Sequence, residues 1–162
     1  MKKLIAVFLA ICIAATLFGC GGKREEIYTC TVSINCQTLL EEENYNKLKS
    51  EKREFVPEDG WILQPVEISF AEGDTAFDVL KKAVRENKIH MEFTETPAYK
   101  SVYIEGINNL YEFDCGKLSG WMFSVNGEFP NYGSSTYKLQ DGDEVSWIYT
   151  CDLGADVGNE FE

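Results

Sequence analysis

The chain has a single histidine, His90. Without a second imidazole, the serine and cysteine nucleophile arrangements lack their base. No Cys-x-x-Cys pair occurs, which removes a thioredoxin-type redox motif and a zinc knuckle. No Gly-rich phosphate loop stands between a strand and a helix. Carboxylates abound, but no pair stands out as a glycosidase acid and base. Asp141 and Asp143 flank a glycine as a turn does, and the later ligand positions of a calcium loop are missing. Positive charge is scarce: 15 Lys and Arg stand against 27 Asp and Glu, a net charge of −12. That balance argues against nucleic acid and against electrostatic docking on anionic lipid. What remains is a binding or interaction module with no cofactor of its own, not an enzyme.

Long apolar runs are also scarce. The one clear run, residues 4–18, falls short of the ~20 residues that a membrane-crossing helix needs. It follows Lys2 and Lys3 and ends in small residues, the layout of a secretory signal. The segment Leu17-Phe18-Gly19-Cys20 resembles a lipobox, in which the cysteine receives diacylglycerol. The expected organisation is a signal peptide at 1–19, a lipidated Cys20 with a tether at 20–27, one domain at 28–151 and an acidic tail at 152–162. Acyl chains contribute ~0.8 kcal/mol per buried methylene, so two or more anchor stably. The expected location is the extracytoplasmic face of a membrane, held by that lipid.

Outside the cytoplasm, Cys30, Cys36, Cys115 and Cys151 read as a disulfide framework. Residues 28–37 alternate as a strand does, with Tyr28, Cys30, Val32, Ile34 and Cys36 on one face. Six residues of strand separate Cys30 from Cys36 by ~20 Å, beyond the ~7 Å reach of a disulfide. Two connectivities survive, each joining this strand to Cys115 and Cys151.

Further on, residues 41–60 form a short helix or loop closed by a turn at Pro57-Glu58-Asp59-Gly60. Val66, Ile68 and Phe70 mark a second strand. After Glu72-Gly73-Asp74-Thr75 the apolar spacing changes to that of a helix through Val84, with Thr75 and Asp78 as a capping box. Short strands follow: one carries Trp121, Phe123 and Val125 into an Asn126-Gly127 turn, and the last carries Val145, Trp147, Tyr149 and Cys151. This order predicts an α+β domain, a beta-grasp-like mixed sheet on one main helix, disulfide-stabilised. In that arrangement the first strand lies beside and parallel to the last. Cys36 and Cys151 both end their strands, which favours Cys36–Cys151 with Cys30–Cys115 over the swapped pairing.

Aromatic residues are dense between Tyr99 and Tyr149. A beta core accounts for several of them. Phe129 and Tyr132 sit on a Gly- and Asn-containing loop, where aromatics commonly hold a flat or apolar ligand. Trp121 reads either as core or as part of that site.

Residues 64–150 resemble the C-terminal domain of the cobalamin carriers, transcobalamin and intrinsic factor. They resemble more closely a bacterial family of uncharacterised lipoproteins that shares this domain. The matching pieces are Ile107-Asn108-Asn109-Leu110, Gly120-Trp121-Met122-Phe123, Val125-Asn126-Gly127, Gly133, Tyr137 and Asp141-Gly142-Asp143. The resemblance implies a beta-grasp ligand-binding domain whose binding residues are Trp121, Phe123, Asn131, Tyr132, Gly133 and Tyr137. In the carriers a large helical barrel supplies the other face of the site, and this chain has none. The expected function is binding of a small ligand, a corrinoid or another tetrapyrrole, with transfer to a membrane transporter. The alternative is a cell-surface protein-interaction or envelope-assembly module with no small-molecule ligand.

Overall fold

The computed structural model describes residues 27–96 and 101–159. The expected signal segment, Cys20, the tether up to residue 26 and the last three residues of the tail lie outside the described residues.

Strand β1 (Ile27–Asn35) buries Cys30, Val32 and Ile34, as its alternation requires. It lies inside a four-stranded sheet. On one side β2 (Trp61–Ala71) runs antiparallel to it. On the other, β7 (Glu144–Thr150) runs parallel to it, with Val32 opposite Val145. Strand β6 (Gly120–Val125) pairs antiparallel with β7 and completes the order β2-β1-β7-β6. The expected pairing of first strand with last is present. Pro65 is tolerated in β2 because that strand is an edge, where a missing N–H need not break a ladder. The polar face of β1 is closed too. Ser33 is buried, and its hydroxyl shares a 3.0 Å hydrogen bond with that of Ser146.

Between β1 and β2 come a 3-10 turn at Gln37–Leu40, the short helix α1 (Glu42–Lys47) and a 3-10 turn at Ser50–Phe55. Helix α2 (Ala76–Glu86) then packs against β1 and β2. It buries Phe77, Val79, Leu80, Ala83 and Val84, the stripe that its spacing predicts. The capping box forms. Thr75 Oγ1 accepts from the Asp78 N–H at 3.3 Å, and Asp78 Oδ2 accepts from the Thr75 N–H at 3.1 Å. Lys82 ties the helix to β2, donating to the Ser69 carbonyl at 2.6 Å. A second antiparallel sheet holds β3 (Met91–Thr96), β4 (Ser101–Ile107) and β5 (Leu110–Tyr111) in that order. Asn108 and Asn109 join β4 to β5, both at positive φ as a tight two-residue turn demands.

One expectation needs correction. The expected disulfides are not formed: Cys30, Cys36, Cys115 and Cys151 are free thiols. In the parallel register Asn35 faces Ile148, so Cys36 comes level with Tyr149 and Cys151 lies two residues further on, about 7 Å along a strand. The Cys30 thiol turns to the Ile68 carbonyl on β2 at 3.6 Å. The thiols that adjoin are Cys115 and Cys151, beside the segment that holds α1. They donate to the Asn44 carbonyl at 3.3 Å and toward Thr38 Oγ1 at 3.9 Å. Burial foremost, then the neighbouring Cys115 thiol, pushes Cys151 up. The distance argument for Cys30 and Cys36 sets this combination aside, because it treats all four cysteines as paired.

The start of the acidic tail is tied to the body of the domain. Leu153 N–H donates to the Leu118 carbonyl at 2.9 Å. Asp156 caps the end of β7, accepting from the Cys151 N–H at 2.7 Å and from the Thr150 hydroxyl.

Candidate functional site

The expected ligand residues divide between two places. The first is the loop at 128–137. It begins at the Asn126-Gly127 turn, where both residues have positive φ and Val125 and Glu128 exchange backbone hydrogen bonds of 2.8 and 3.0 Å. The loop is fixed at the start of α2. Two helix N–H groups that have no partner within the helix find loop carbonyls: Ala76 N–H donates to Tyr137 at 3.0 Å and Phe77 N–H to Ser134 at 3.1 Å. Gly133 lets the loop approach β4 closely: a Cβ there would displace the Ser101 hydroxyl and stand 3.2 Å from Ser101 Cβ.

This anchoring presents an aromatic ladder. Tyr132 is 56% exposed and stacks on Tyr137, centroids 5.6 Å apart and planes 14° apart. Tyr137 meets Phe123 edge-on at 6.1 Å, and Phe123 stacks on Trp147 at 5.4 Å. The ladder runs from an exposed ring to a buried one, Trp147 being 2% exposed. Trp147 Nε1 has no acceptor among the described residues. Burial, then the charge of Asp143, holds the Tyr137 hydroxyl above its ordinary value. Asn131 is exposed beside Tyr132, and Phe129 is half-buried.

Trp121 belongs elsewhere. It is 8% exposed, its indole N–H donates to the Leu110 carbonyl at 2.9 Å, and its ring meets Tyr149 edge-on at 5.3 Å. It lies at the opposite end of β6 and lines an apolar cleft there with Tyr103, Phe113, Leu118, Met122 and Leu153. Sequence reasoning missed this cleft. The signal that could have found it is weak: apolar residues in turns, at Phe113, Leu118 and Leu153. A second, polar cleft of about 430 Å³ adjoins it and is lined by Glu41, Glu43, Lys47, Cys115, Cys151 and Asp156 among others.

The aspartates of the 141–143 turn are committed to backbone and side-chain partners. Asp141 accepts from the Thr29 N–H at 2.8 Å, and Asp143 from the Gln140 N–H at 2.8 Å and Asn126 Nδ2 at 2.9 Å. Among the described residues no group of three or more His, Cys, Asp or Glu side chains is placed to hold a metal ion. His90 is a surface residue, 3.4 Å from Glu92.

Residues 73–150 match the family model of a domain of unknown function, DUF4430. No curated protein matches the chain in sequence. Among solved structures, the chain is similar to haptocorrin crystallised in complex with Cbi, with a TM-score of 0.55 at 15% identity. That match covers 82% of this chain and 27% of the haptocorrin chain, so the likeness is one of fold over about a quarter of that protein. A Ruminococcus gnavus ATCC 29149 protein with a provisional metal-binding description matches at a TM-score of 0.44 and 17% identity, over 76% of this chain and 96% of that one. Its likeness is too slight to carry argument.

Proposed function

We propose that this chain is a lipid-anchored extracytoplasmic binding module, and not an enzyme, which holds a flat, partly apolar ligand on the aromatic ladder of its 128–137 loop. The observation that carries this reading is the stack of exposed Tyr132 on Tyr137, continued inward by Phe123 and Trp147. An exposed ring held parallel to a second ring offers a preformed flat surface at little entropic cost. A corrinoid or another tetrapyrrole suits such a surface. The haptocorrin likeness supports this choice at the level of fold, that protein having been crystallised with Cbi. Most of the haptocorrin chain has no counterpart here. The described domain offers one face to its ligand, an arrangement suited to capture and release toward a membrane transporter. The anchor is diacylglycerol on Cys20, and Cys20→Ala should release the protein from membranes.

The test is the melting temperature against corrinoids and haem. A ligand at 100 times its Kd adds ~2.7 kcal/mol, a shift of several degrees in a domain of this size. The shift should vanish when Tyr132 and Tyr137 are both replaced by alanine. A shift that survives the double replacement removes the ladder from the site. No shift with any tetrapyrrole overturns the ligand-binding reading and favours a protein partner.

A further inference from the structure

We infer a second, separate binding site in the apolar cleft at the start of β6, suited to a small aromatic ligand that carries one negative charge. The cleft holds about 320 Å³, near the lower end of small-molecule sites. That volume fits one or two fused rings rather than a macrocycle, so the site does not depend on the tetrapyrrole reading.

Four of its lining side chains are large, apolar and markedly exposed: Tyr103 at 47%, Phe113 at 55%, Leu118 at 44% and Leu153 at 55%. Two of them also stand on unfavourable backbone. Phe113 has φ +63° and Leu153 has φ +50°, in the left-handed region that bulky L-residues avoid. Elsewhere the chain fills this region with glycine or asparagine, apart from Lys88 just past the end of α2. At 113 and 153 strain coincides with exposure, so core burial does not offset it. Both side chains face one cavity, which is where strain of this kind is informative.

The polar chemistry of the cleft is equally selective. Ser119 Oγ is occupied by the Gly116 carbonyl and the Cys115 N–H, Thr150 Oγ1 by Asp156 and the Asp152 and Gly154 N–H groups, and the Tyr103 hydroxyl by the Glu112 carboxylate, to which it donates. The charged lining residue is Lys117, which is exposed, stands between this cleft and the adjoining polar one, and forms no ion pair among the described residues. A free ammonium at the edge of an apolar slot selects a ring system bearing a carboxylate or sulfonate.

The probe is 2-naphthoate, with 2-naphthylmethanol as its uncharged counterpart, titrated by calorimetry against the full chain with no tetrapyrrole present. Saturable binding of naphthoate is expected. Lys117→Ala should weaken naphthoate at least threefold and leave naphthylmethanol unchanged. Leu153→Gly should weaken both about tenfold without lowering the melting temperature by more than a few degrees, because glycine accepts φ +50° freely. Leu118→Asp, a surface change, should abolish naphthoate binding in a folded protein. Absence of saturable binding overturns the proposal, as does binding untouched by Leu153→Gly and Leu118→Asp. Binding that appears only when the chain is ended at Asn159 also overturns it, because the protein's own last residues would then be the occupant. A negative tetrapyrrole screen leaves this test standing, and failure here leaves the aromatic ladder untouched.

Discussion

Asp114 offers a sharp test of how the β5–β6 connection is held. Its side chain is 2% exposed, and three donors converge on it: Lys49 Nζ at 2.7 Å, Lys52 Nζ at 3.5 Å and the Tyr111 N–H at 2.8 Å. Asp114→Ala removes all three. The Tyr111 N–H loses a charged acceptor, which costs about 1–3 kcal/mol. The lysines suffer less. Lys49 is 51% and Lys52 20% exposed, so both ammonium groups can return to water. Each pair then counts as a surface bridge, about 0.2–1 kcal/mol, rather than a broken buried pair. The alanine variant should lose about 2–4 kcal/mol. Asp114→Asn keeps an acceptor for Tyr111 and should lose about 1–2 kcal/mol. Urea unfolding measures this as a lower midpoint with an unchanged slope. In 1 M salt the asparagine deficit should shrink, since screening removes the ionic share, while most of the alanine deficit persists. An alanine variant within ~0.5 kcal/mol of the parent would refute the reasoning. So would an asparagine variant as damaged as the alanine one, because the hydrogen bond would then contribute nothing.

Two further predictions concern the helix cap and the thiols. Thr75→Ala removes the capping box and should cost about 1 kcal/mol, read as a melting temperature lower by several degrees. Because the same helix start holds the carbonyls of Ser134 and Tyr137, hydrogen exchange should quicken in the 128–137 loop as well. Burial, then the nearby charges of Asp143 and Asp59 respectively, pushes the Cys30 thiol up to about 11 and the Cys36 thiol up to about 12. In the reduced, folded protein at pH 8 both should resist iodoacetamide and react quickly once urea is added. These raised values hold the proton in the folded state. Their contribution to stability is therefore full below pH 9 and lost as pH rises through 11 to 12. The urea midpoint should fall over that window, and less steeply in Cys36→Ala.

The elements with period or punctuation were legible in the sequence. The alternation of β1, the stripe of α2 and the Thr75–Asp78 cap appear as read, and so does the parallel neighbour of β1. What failed depends on register and rotamer, which a sequence pattern does not carry. Cys36 and Cys151 end neighbouring strands yet stand two residues out of step. Trp121 and Phe123 share a face of β6 but serve different neighbourhoods, one against Tyr149 and the other against Tyr137. The apolar cleft was hidden because Phe113 and Leu153 stand in turns at positive φ, where propensity favours Gly or Asn.

The place of β1 in the sheet also orders events in time. Its parallel partner β7 begins at Glu144, and Val32 meets Val145 only after more than a hundred intervening residues have been made. Until then β1 has one neighbour, and its other edge carries unpaired N–H and C=O groups. Closing so long a loop is slow, as in other folds dominated by distant contacts. A nascent chain with this order cannot finish its sheet early. It stays extensible until β7 emerges, and a truncation within β7 leaves a central strand with an open, adhesive edge.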